Sequence, residues 1–408
     1  MMAACLLLLL CDFVSAQTGK DVSNLYDYLF STLNYNKEIR PAIYQNISSQ
    51  VEVDLLLSGL HDIDETRQQM TSVGVLTVRW KDEFLTWNPS SFGGANFIDV
   101  PQGKIWKPDL QVRNGFVDFS QLGGDFMFLK IYHTGEVVWF LHKVFHTKCK
   151  MNVTFFPFDR QNCSLQIISW SNDVSSVNIT GGGDGFRIDA DLHHGHWKIS
   201  TYSFSTFMDL NDSVISFSIT LDRKPKIYIL NILIPVCFLV VLSLLTFLLP
   251  NDCGEKVSYS ITVLLSMSIF LTVVASMLPT NSDSISYLEI YIIAVLSVGV
   301  LIIVLSTASL RLHYRTEKRK IPDWVQRLTR LSWTLRCQRI DGYNAQYNYR
   351  TKTKEHFDDK QERKEPRKSD IVVRWTDVTS ALDFYMFWLF LTAITALSLA
   401  VTWLYFSQ

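Results

Sequence analysis

The segment that decides the fold runs from Val257 to Leu278 and reads VSYSITVLLSMSIFLTVVASML. It contains no Asp, Glu, Lys or Arg, and as an α-helix its 22 residues would reach roughly 30 Å, the thickness of the hydrocarbon core of a bilayer. Three more charge-free apolar blocks of similar length occupy residues 227–249, 290–310 and 384–406. A single block of this kind could be a buried core helix, but four in one chain predict four helices that span a membrane.

The overall composition is that of a chain whose apolar residues are concentrated in a few long blocks. Of the 408 residues, 48% are hydrophobic and 19% are charged, and the formal net charge is −1. This composition excludes a disordered chain and a collagen-like fibre, and a net charge near zero gives no reason to expect a nucleic-acid partner. Seven cysteines are too few for a small disulfide scaffold.

The distribution of charge predicts the orientation of the four helices. Residues 17–226 carry 19 Lys and Arg against 23 Asp and Glu, whereas residues 311–380 carry 18 against 10. Cytoplasmic loops are enriched in Lys and Arg, so the segment 311–380 is expected in the cytoplasm. The short apolar run before Gln17 predicts a signal peptide over residues 1–16. A cleaved signal peptide and four spans predict a multi-pass protein of the plasma membrane with both termini outside the cell.

The positions of the glycosylation sequons and of the cysteines support the same orientation. Five Asn-x-Ser/Thr sequons all precede the first apolar block, which favours an extracellular location for that region. The predicted glycosylation sites are Asn46, Asn152, Asn162, Asn178 and Asn211. Outside the signal segment, Cys149 and Cys163 are the cysteines on the predicted oxidising side. We therefore expect them to form a disulfide, worth on the order of 3 kcal/mol by the loop-entropy model.

Residues 17–226 are predicted to form one β-sandwich. A short helix is expected at residues 21–33. Period-two alternation of apolar and polar residues, the pattern of half-buried strands, then covers residues 51–55, 73–80, 130–140 and 215–221. The glycine-rich run at 181–185 is interpreted as a flexible turn, since it lacks the Lys and Ser/Thr of a phosphate-binding loop.

The segment 311–380 is expected to be a partly helical cytoplasmic loop. Within it, apolar residues recur at helical spacing beside several arginines, which predicts a short helix on the inner leaflet; a solvated linker is the alternative. These apolar residues are Trp324, Leu328, Leu331 and Leu335. The fold class is therefore a β + α membrane protein. An extracellular β-sandwich at 17–226 is followed by a four-helix transmembrane bundle, with three helices within 227–310 and the fourth at 384–406.

The second apolar block carries a polar stripe. On a helix, one face would present Glu255, Ser258, Thr262, Leu265, Ile269 and Ser276. A single helix cannot shield these hydroxyls from lipid, but several copies around an axis could enclose them as the lining of a pore. A ring of Glu255 would attract cations to the inner mouth, and Leu265 and Ile269 would form an apolar girdle able to exclude water. The alternative is that the hydroxyls bond to their own helix and the stripe only packs.

Several motifs resemble a known family. Cys149 and Cys163 enclose Phe156-Pro157-Phe158-Asp159 and are followed by the four apolar blocks, an arrangement similar to that of the Cys-loop, or pentameric ligand-gated, receptors. Further segments look like those of the nicotinic type: WKDEFLTW (80–87), WKPD (106–109), NILIP (231–235) and GEK (254–256). The resemblance covers almost the whole of the chain after the predicted signal peptide.

The resemblance implies a pentamer in which this chain joins four further subunits, taken as identical, around a pore that passes monovalent cations. Each subunit would contribute its second apolar block to the pore, contact membrane lipid, and bind a small-molecule agonist at an extracellular subunit interface. Anion-selective members carry a Pro-Ala-type sequence where this chain has Gly254-Glu255-Lys256, so cation selectivity is implied. Neither an enzymatic activity nor a cofactor is expected.

The resemblance places the agonist site around Trp170, which matches the central tryptophan of the nicotinic aromatic box. Such a box holds an ammonium group by cation–π contact. Other positions depart from it: Arg113 replaces a tyrosine, Val75 replaces the tryptophan of the neighbouring subunit, and the late loop lacks adjacent cysteines. The aromatic residues in that late loop are Tyr202, Phe204 and Phe207. Arg113 would repel an ammonium unless it turns away or pairs with an acid, so an acetylcholine-like, an anionic and a zwitterionic agonist all stay open.

The resemblance also implies a cluster at the junction of the two domains, through which agonist binding would reach the pore. The residues concerned are Glu65, Phe156, Pro157, Asp159, Arg223 and, in the linker between the second and third blocks, Pro279. A static structural cluster is the alternative interpretation.

Three functions compete at this point. The leading interpretation is a homopentameric, extracellular-ligand-gated cation channel, and the alternative is an accessory subunit that is silent alone and conducts only with partner subunits. The least favoured is a membrane-tethered metal hydrolase that uses His193, His194 and His196. Solvated loop histidines are the simpler interpretation of that cluster, and a modulatory metal site is the most that it suggests.

Overall fold

The computed structural model describes residues 18–116, 122–124, 126–278, 284–315, 320–336 and 373–407, and of Cys253 only the backbone. The predicted signal peptide and Pro279 lie outside the described residues. The chain divides into two compact units. We call the first, formed by residues up to Asn152 and by Phe158–Lys224, the β unit. The second, formed by Val153–Pro157 and the residues from Pro225 onward, is called the helical unit.

The β unit opens with helix α1 (Gly19–Asp27), which continues as a π-helical turn over Tyr28–Thr32. The hydroxyl of Thr18 accepts the N–H of Asp21 at 3.3 Å, and the carboxylate of Asp21 accepts the N–H of Thr18 at 3.0 Å. This reciprocal capping satisfies two amide groups that would otherwise lack partners at the start of the helix. The helix predicted at 21–33 is thereby confirmed.

Ten strands in the described part of the chain form two sheets. The strands are β1 (Ser49–Asp64), β2 (Gln69–Lys81), β3 (Phe97–Pro101), β4 (Leu110–Val112), β5 (Phe128–Tyr132), β6 (Glu136–Lys148), β7 (Arg160–Ser169), β8 (Val177–Ile188), β9 (Trp197–Asp209) and β10 (Asp212–Arg223). The larger sheet has the order β3-β5-β6-β2-β1-β8 and the smaller the order β4-β7-β10-β9. Trp139 and Phe217, one from each sheet, are among the largest fully buried side chains. The predicted β-rich domain is therefore confirmed.

Three of the four predicted strands lie within β1, β2 and β10, but the run at 130–140 is not one strand. A turn divides it into β5 and β6, because Gly135 adopts a left-handed conformation with φ of +84°. The N–H of Gly135 closes this turn by donating to the carbonyl of Tyr132 at 2.8 Å.

The glycine-rich run at 181–185 is not the flexible turn that the sequence suggests, because it lies inside strand β8. Buried Asp54 on β1 explains part of it: its carboxylate accepts the N–H of Gly185 at 2.7 Å and would overlap any side chain at Gly182. The ring of Phe204 on β9 likewise occupies the space that a side chain at Gly181 would need. The glycines therefore allow close packing of neighbouring strands.

The helical unit has four described helices that are long and apolar enough to cross a membrane. They are α2 (Lys226–Leu245), α3 (Lys256–Ser276), α4 (Tyr287–His313) and α6 (Trp375–Phe406), and a shorter helix, α5 (Asp323–Leu335), lies between the last two in sequence. Helix α2 contains a π-helical turn at Ile229–Leu233, just before Pro235, whose missing N–H cannot continue the regular hydrogen bonding. These helices agree with the predicted four-helix bundle.

Helix α5 confirms the short helix predicted in the cytoplasmic segment. Its exposed apolar residues are Trp324, Leu328, Leu331 and Leu335. Thr329 and Ser332 are buried, and the hydroxyl of Tyr385 on α6 donates to the carbonyl of Leu328 at 3.0 Å. An exposed apolar face beside a long apolar helix suits a position on a membrane surface, and the placement on the inner leaflet stays a prediction.

Candidate functional site

Trp170, the predicted centre of the agonist site, follows strand β7 and is positioned through its backbone. Its N–H donates to the carbonyl of Asp109 at 3.2 Å, and the Asp109 carboxylate accepts the N–H of Ser171 at 2.5 Å. Ser169 and Asn172 donate side-chain hydrogen bonds to the same carboxylate. Burial alone would raise the pKa of Asp109, but these hydrogen bonds outweigh it and hold the pKa below its ordinary value. Trp170 itself is 57% exposed, so it is presented at the surface rather than packed in the core.

Arg113, whose positive charge would disfavour an ammonium ligand, is paired with an acid. It follows strand β4, where its N–H donates to the carbonyl of Gln166 at 2.9 Å. Its guanidinium forms an ion pair with the carboxylate of Asp209 at the end of β9. Both side chains are partly exposed. Asp209 thus neutralises the charge of Arg113 locally. Pairing with an acid is one of the two conditions under which Arg113 would not repel an ammonium group.

The late loop of the sequence is a tight hairpin. Strands β9 and β10 pair up to Asp209 and Asp212, which leaves Leu210 and Asn211 as the turn. These two residues have φ values of +49° and +78°, as a two-residue hairpin turn requires. The predicted loop aromatics therefore lie inside strand β9, and these are Tyr202, Phe204 and Phe207.

Strand periodicity divides these three aromatic residues between two faces. Tyr202 and Phe204 share one face, where each ring lies against a phenylalanine of a neighbouring strand. Phe207 points to the opposite face, which it shares with Asp209, the partner of Arg113. The structure therefore does not bring the three predicted aromatic residues together.

Val75 occupies a different sheet from Trp170. It lies on strand β2 of the larger sheet, paired with Leu56 and His142, and is half-buried. Trp170 follows β7, which belongs to the smaller sheet. Within one chain, the two predicted positions are thus carried by separate sheets.

Three of the predicted coupling residues meet inside the β unit. Arg223 at the end of β10 is buried, and it donates to Asp159 at 2.6 Å and to Glu65 at 2.7 Å. Its guanidinium also lies 4.2 Å from the ring centre of Trp197. Burial alone would lower the pKa of Arg223, but the two carboxylates outweigh it and raise the pKa above its ordinary value. The arrangement is a fully paired buried charge.

The other predicted part of the cluster, around Phe156, belongs to the helical unit together with Pro157. The ring of Phe156 lies 5.1 Å from that of Tyr228 on α2. Its carbonyl accepts the hydroxyl of Tyr405 on α6 at 2.7 Å. The middle of the Cys-loop is thus in contact with the ends of two long helices.

The predicted covalent features lie in the β unit. Cys149 and Cys163 form a disulfide with Cα atoms 5.1 Å apart, which confirms the predicted pairing. Four of the five sequon asparagines are exposed: Asn46, Asn152, Asn162 and Asn211. Asn178 is half-buried and its amide donates to Gln50 at 3.0 Å, so it is the least accessible of the predicted glycosylation sites.

Helix α3 leaves its predicted stripe exposed. All six stripe residues are exposed in the single chain, namely Glu255, Ser258, Thr262, Leu265, Ile269 and Ser276. By contrast, Ser260, Val263 and Met267 are buried. The hydroxyl of Thr262 donates to the carbonyl of Ser258 at 3.0 Å, so hydroxyls of the stripe do bond to their own helix. The stripe is nevertheless open rather than packed within the chain.

The histidine cluster makes local contacts. The Nδ1 atom of His194 lies 3.3 Å from the backbone nitrogen of His196 and 3.2 Å from that of Trp197. Burial, and secondarily the neighbouring His196, lowers the pKa of His194. Within the part of the chain that the structure describes, there is no group of three or more His, Cys, Asp or Glu residues that could hold a metal ion.

Comparison with known families assigns the chain to a class. The family described as "Neurotransmitter-gated ion-channel ligand binding domain" matches residues 22–225, and "Neurotransmitter-gated ion-channel transmembrane region" matches residues 232–360. The chain therefore belongs to the neurotransmitter-gated ion-channel family, whose members are ligand-gated channels and not enzymes.

Individual relatives agree with this class. The chain is similar to the human neuronal acetylcholine receptor subunit alpha-3, with 35% identity over 330 residues, which are 79% of this chain and 64% of that subunit. It is also similar to the mouse neuronal acetylcholine receptor subunit alpha-6, with 34% identity over 332 residues, or 79% of this chain and 67% of that one. The match thus spans about two thirds of the length of these relatives.

Proposed function

We propose that this chain is a subunit of a pentameric, extracellular-ligand-gated, cation-selective channel of the plasma membrane. The observation that carries the proposal is the exposed stripe of α3, which begins with Glu255 and continues through Ser258 and Thr262. Five copies arranged about one axis would turn these groups toward a common water-filled path. The relatives, named as acetylcholine receptor subunits, support the same class of function.

The proposed gate is an apolar girdle within the stripe. Leu265 and Ile269 are 61% and 56% exposed in the single chain, although both are large apolar residues. A ring of such side chains can dewet and stop ion flow without touching. Leu265→Thr should therefore keep water in the closed pore and increase resting current.

The proposed agonist is a small molecule that carries an ammonium group and binds between subunits. Trp170 offers an exposed aromatic face, and the pairing of Arg113 with Asp209 removes the repulsion that an unpaired guanidinium would exert. Val75 would come from the neighbouring subunit. Because the aromatic residues of β9 are divided between two faces, fewer rings than in a full aromatic box would contact the ligand. Each missing ring weakens binding by about 0.5–2 kcal/mol.

Arg223, Asp159 and Glu65 are proposed to couple the agonist site to the pore. Their buried pairing offers a discrete arrangement that agonist binding could bias toward an open channel. The segment around Phe156, in contact with α2 and α6, would transmit that change.

The decisive experiment is expression of this chain alone, with recording of currents evoked by acetylcholine and by a panel of ammonium and amino-acid ligands. We expect an agonist-evoked current whose reversal potential follows the Na⁺ gradient, and we expect Trp170→Ala to abolish it. Surface pentamers that pass no current, even with Leu265→Thr, would favour the accessory-subunit alternative. A reversal potential that follows Cl⁻ would contradict cation selectivity.

A further inference from the structure

The residue next to Glu255 is a cation that the proposed pore does not use. Lys256 begins helix α3, and its side chain is completely buried in the helical unit. Its ammonium lies 2.7 Å from the carboxylate of Asp383 on α6 and donates to the side-chain oxygen of Asn251 at 3.1 Å. A buried ammonium is costly unless it is paired and hydrogen-bonded, and here both requirements are met.

Asp383 is the centre of this buried network. Its carboxylate accepts the amide of Asn251 at 3.0 Å and the hydroxyl of Ser309 on α4 at 3.3 Å, in addition to pairing with Lys256. The Asp383 side chain on α6 thus contacts the loop before α3, the first turn of α3, and helix α4. The Asp383 side chain is only 9% exposed, so water contributes little to its stabilisation.

Adjacent residues of a helix point about 100° apart, so Lys256 and Glu255 leave the first turn of α3 in different directions. Glu255 is exposed, whereas Lys256 is directed into the bundle. A lysine side chain is long and flexible, and an ammonium that loses its buried partner moves toward water when its stem allows it. Of the exposed residues in that turn, Glu255 is closer to Lys256 around the helix axis than Ser258 is.

We infer that Asp383 is a positioning residue for ion selection. It holds the Lys256 ammonium on the bundle side of α3, so that no neighbouring cation of the helix opposes the Glu255 carboxylate at the inner mouth. This inference rests on the proposed function, in which Glu255 forms a ring at that mouth. Without Asp383, an ammonium from each subunit would stand beside each carboxylate and cancel much of the field that attracts cations.

The test measures reversal potentials under a NaCl gradient for full-length channels at the cell surface. Asp383→Asn should lower the Na⁺-to-Cl⁻ permeability ratio at least about threefold, as expected for an added charge within several ångströms of the ion path. Adding Lys256→Met to Asp383→Asn should return the ratio to near the wild-type value, since the misplaced charge is then gone. Asp323→Asn, an exposed acid at the start of α5, is the matched control and should leave the ratio unchanged.

If Asp383→Asn alone assembles poorly, co-expression with excess wild-type chain keeps pentamers at the surface, and the ratio should fall with the share of variant. The variant Glu255→Ala distinguishes a failure of this inference from a failure of the proposed function on which it rests. A lowered ratio for Glu255→Ala with an unchanged ratio for surface-expressed Asp383→Asn overturns the inference and leaves the pore assignment standing. An equal loss in the single and double variants also overturns it, because the role would be structural. An unchanged ratio for Glu255→Ala refutes the ring itself, and the inference with it.

Discussion

Asp159→Asn is expected to destabilise the β unit strongly, because it removes one partner of the buried Arg223 guanidinium. Breaking a buried pair from one side costs about 3–5 kcal/mol. Two features reduce this value here: Glu65 still faces Arg223 at 2.7 Å, and the asparagine oxygen can accept one of the lost hydrogen bonds. We therefore expect a loss of about 2–3 kcal/mol in the free energy of unfolding. For a unit of this size that corresponds to a fall of about 5–10 °C in Tm.

The assay is thermal unfolding of the full-length protein in detergent, followed by size exclusion of heated samples. Asp222→Asn is the matched control, since its partner Arg160 is 67% exposed and Asp222 itself is 34% exposed, so the pair should be worth less than about 1 kcal/mol. The double variant Asp159→Leu/Arg223→Met should be milder than Asp159→Asn, because it removes the fully buried guanidinium, and the Glu65 carboxylate that loses its partner is 23% exposed to water. A Tm for Asp159→Asn equal to that of Asp222→Asn would refute the buried-pair reasoning.

Three further predictions concern charge, gating and pH. Arg113→Gln leaves Asp209 unpaired and should therefore raise the potency of an ammonium agonist about threefold in dose–response recordings. Asp209→Asn should lower that potency. Equal shifts of potency in the same direction for the two variants would contradict this reasoning. Leu265→Thr should increase the current at rest, measured as the fraction blocked by a pore blocker, whereas Met267→Thr, at a buried position, should not. Because the pKa of Asp109 is lowered by hydrogen bonds, its stabilisation is present above about pH 4, the ordinary value, and is lost as pH falls through the lowered value. Asp109→Asn should accordingly flatten the acid side of a Tm-against-pH profile, and an unchanged profile would count against that assignment.

Features set by local pattern could be predicted from the sequence. The long helices follow from charge-free blocks, and the strands β1, β2 and β10 from alternation of apolar and polar residues. The Cys149–Cys163 disulfide follows from the sorting of cysteines across the predicted membrane. The stripe of α3 was predictable because helical periodicity alone decides which residues share a face.

Features that depend on distant residues could not be predicted. Arg113 and Asp209 lie on strands far apart in sequence, so their pairing depends on how β4 and β9 come together in one sheet. The same holds for Lys256 and Asp383, which belong to different helices. The segment expected to be a late loop is strand β9, because an aromatic-rich segment has the same composition in a loop or a strand. Its two-residue turn, Leu210–Asn211, lacks the glycine that usually marks such hairpins.

Water access to the stripe of α3 is the most direct test of the proposed pore. Cysteines placed at Ser258 and Thr262 should be modified by a charged, water-soluble thiol reagent when agonist holds the channel open, with a change in current. A cysteine at Ser260, which is buried on the same helix, should not react. Unreactive cysteines at both exposed positions, or equal reaction at Ser260, would contradict a pore lined by this face.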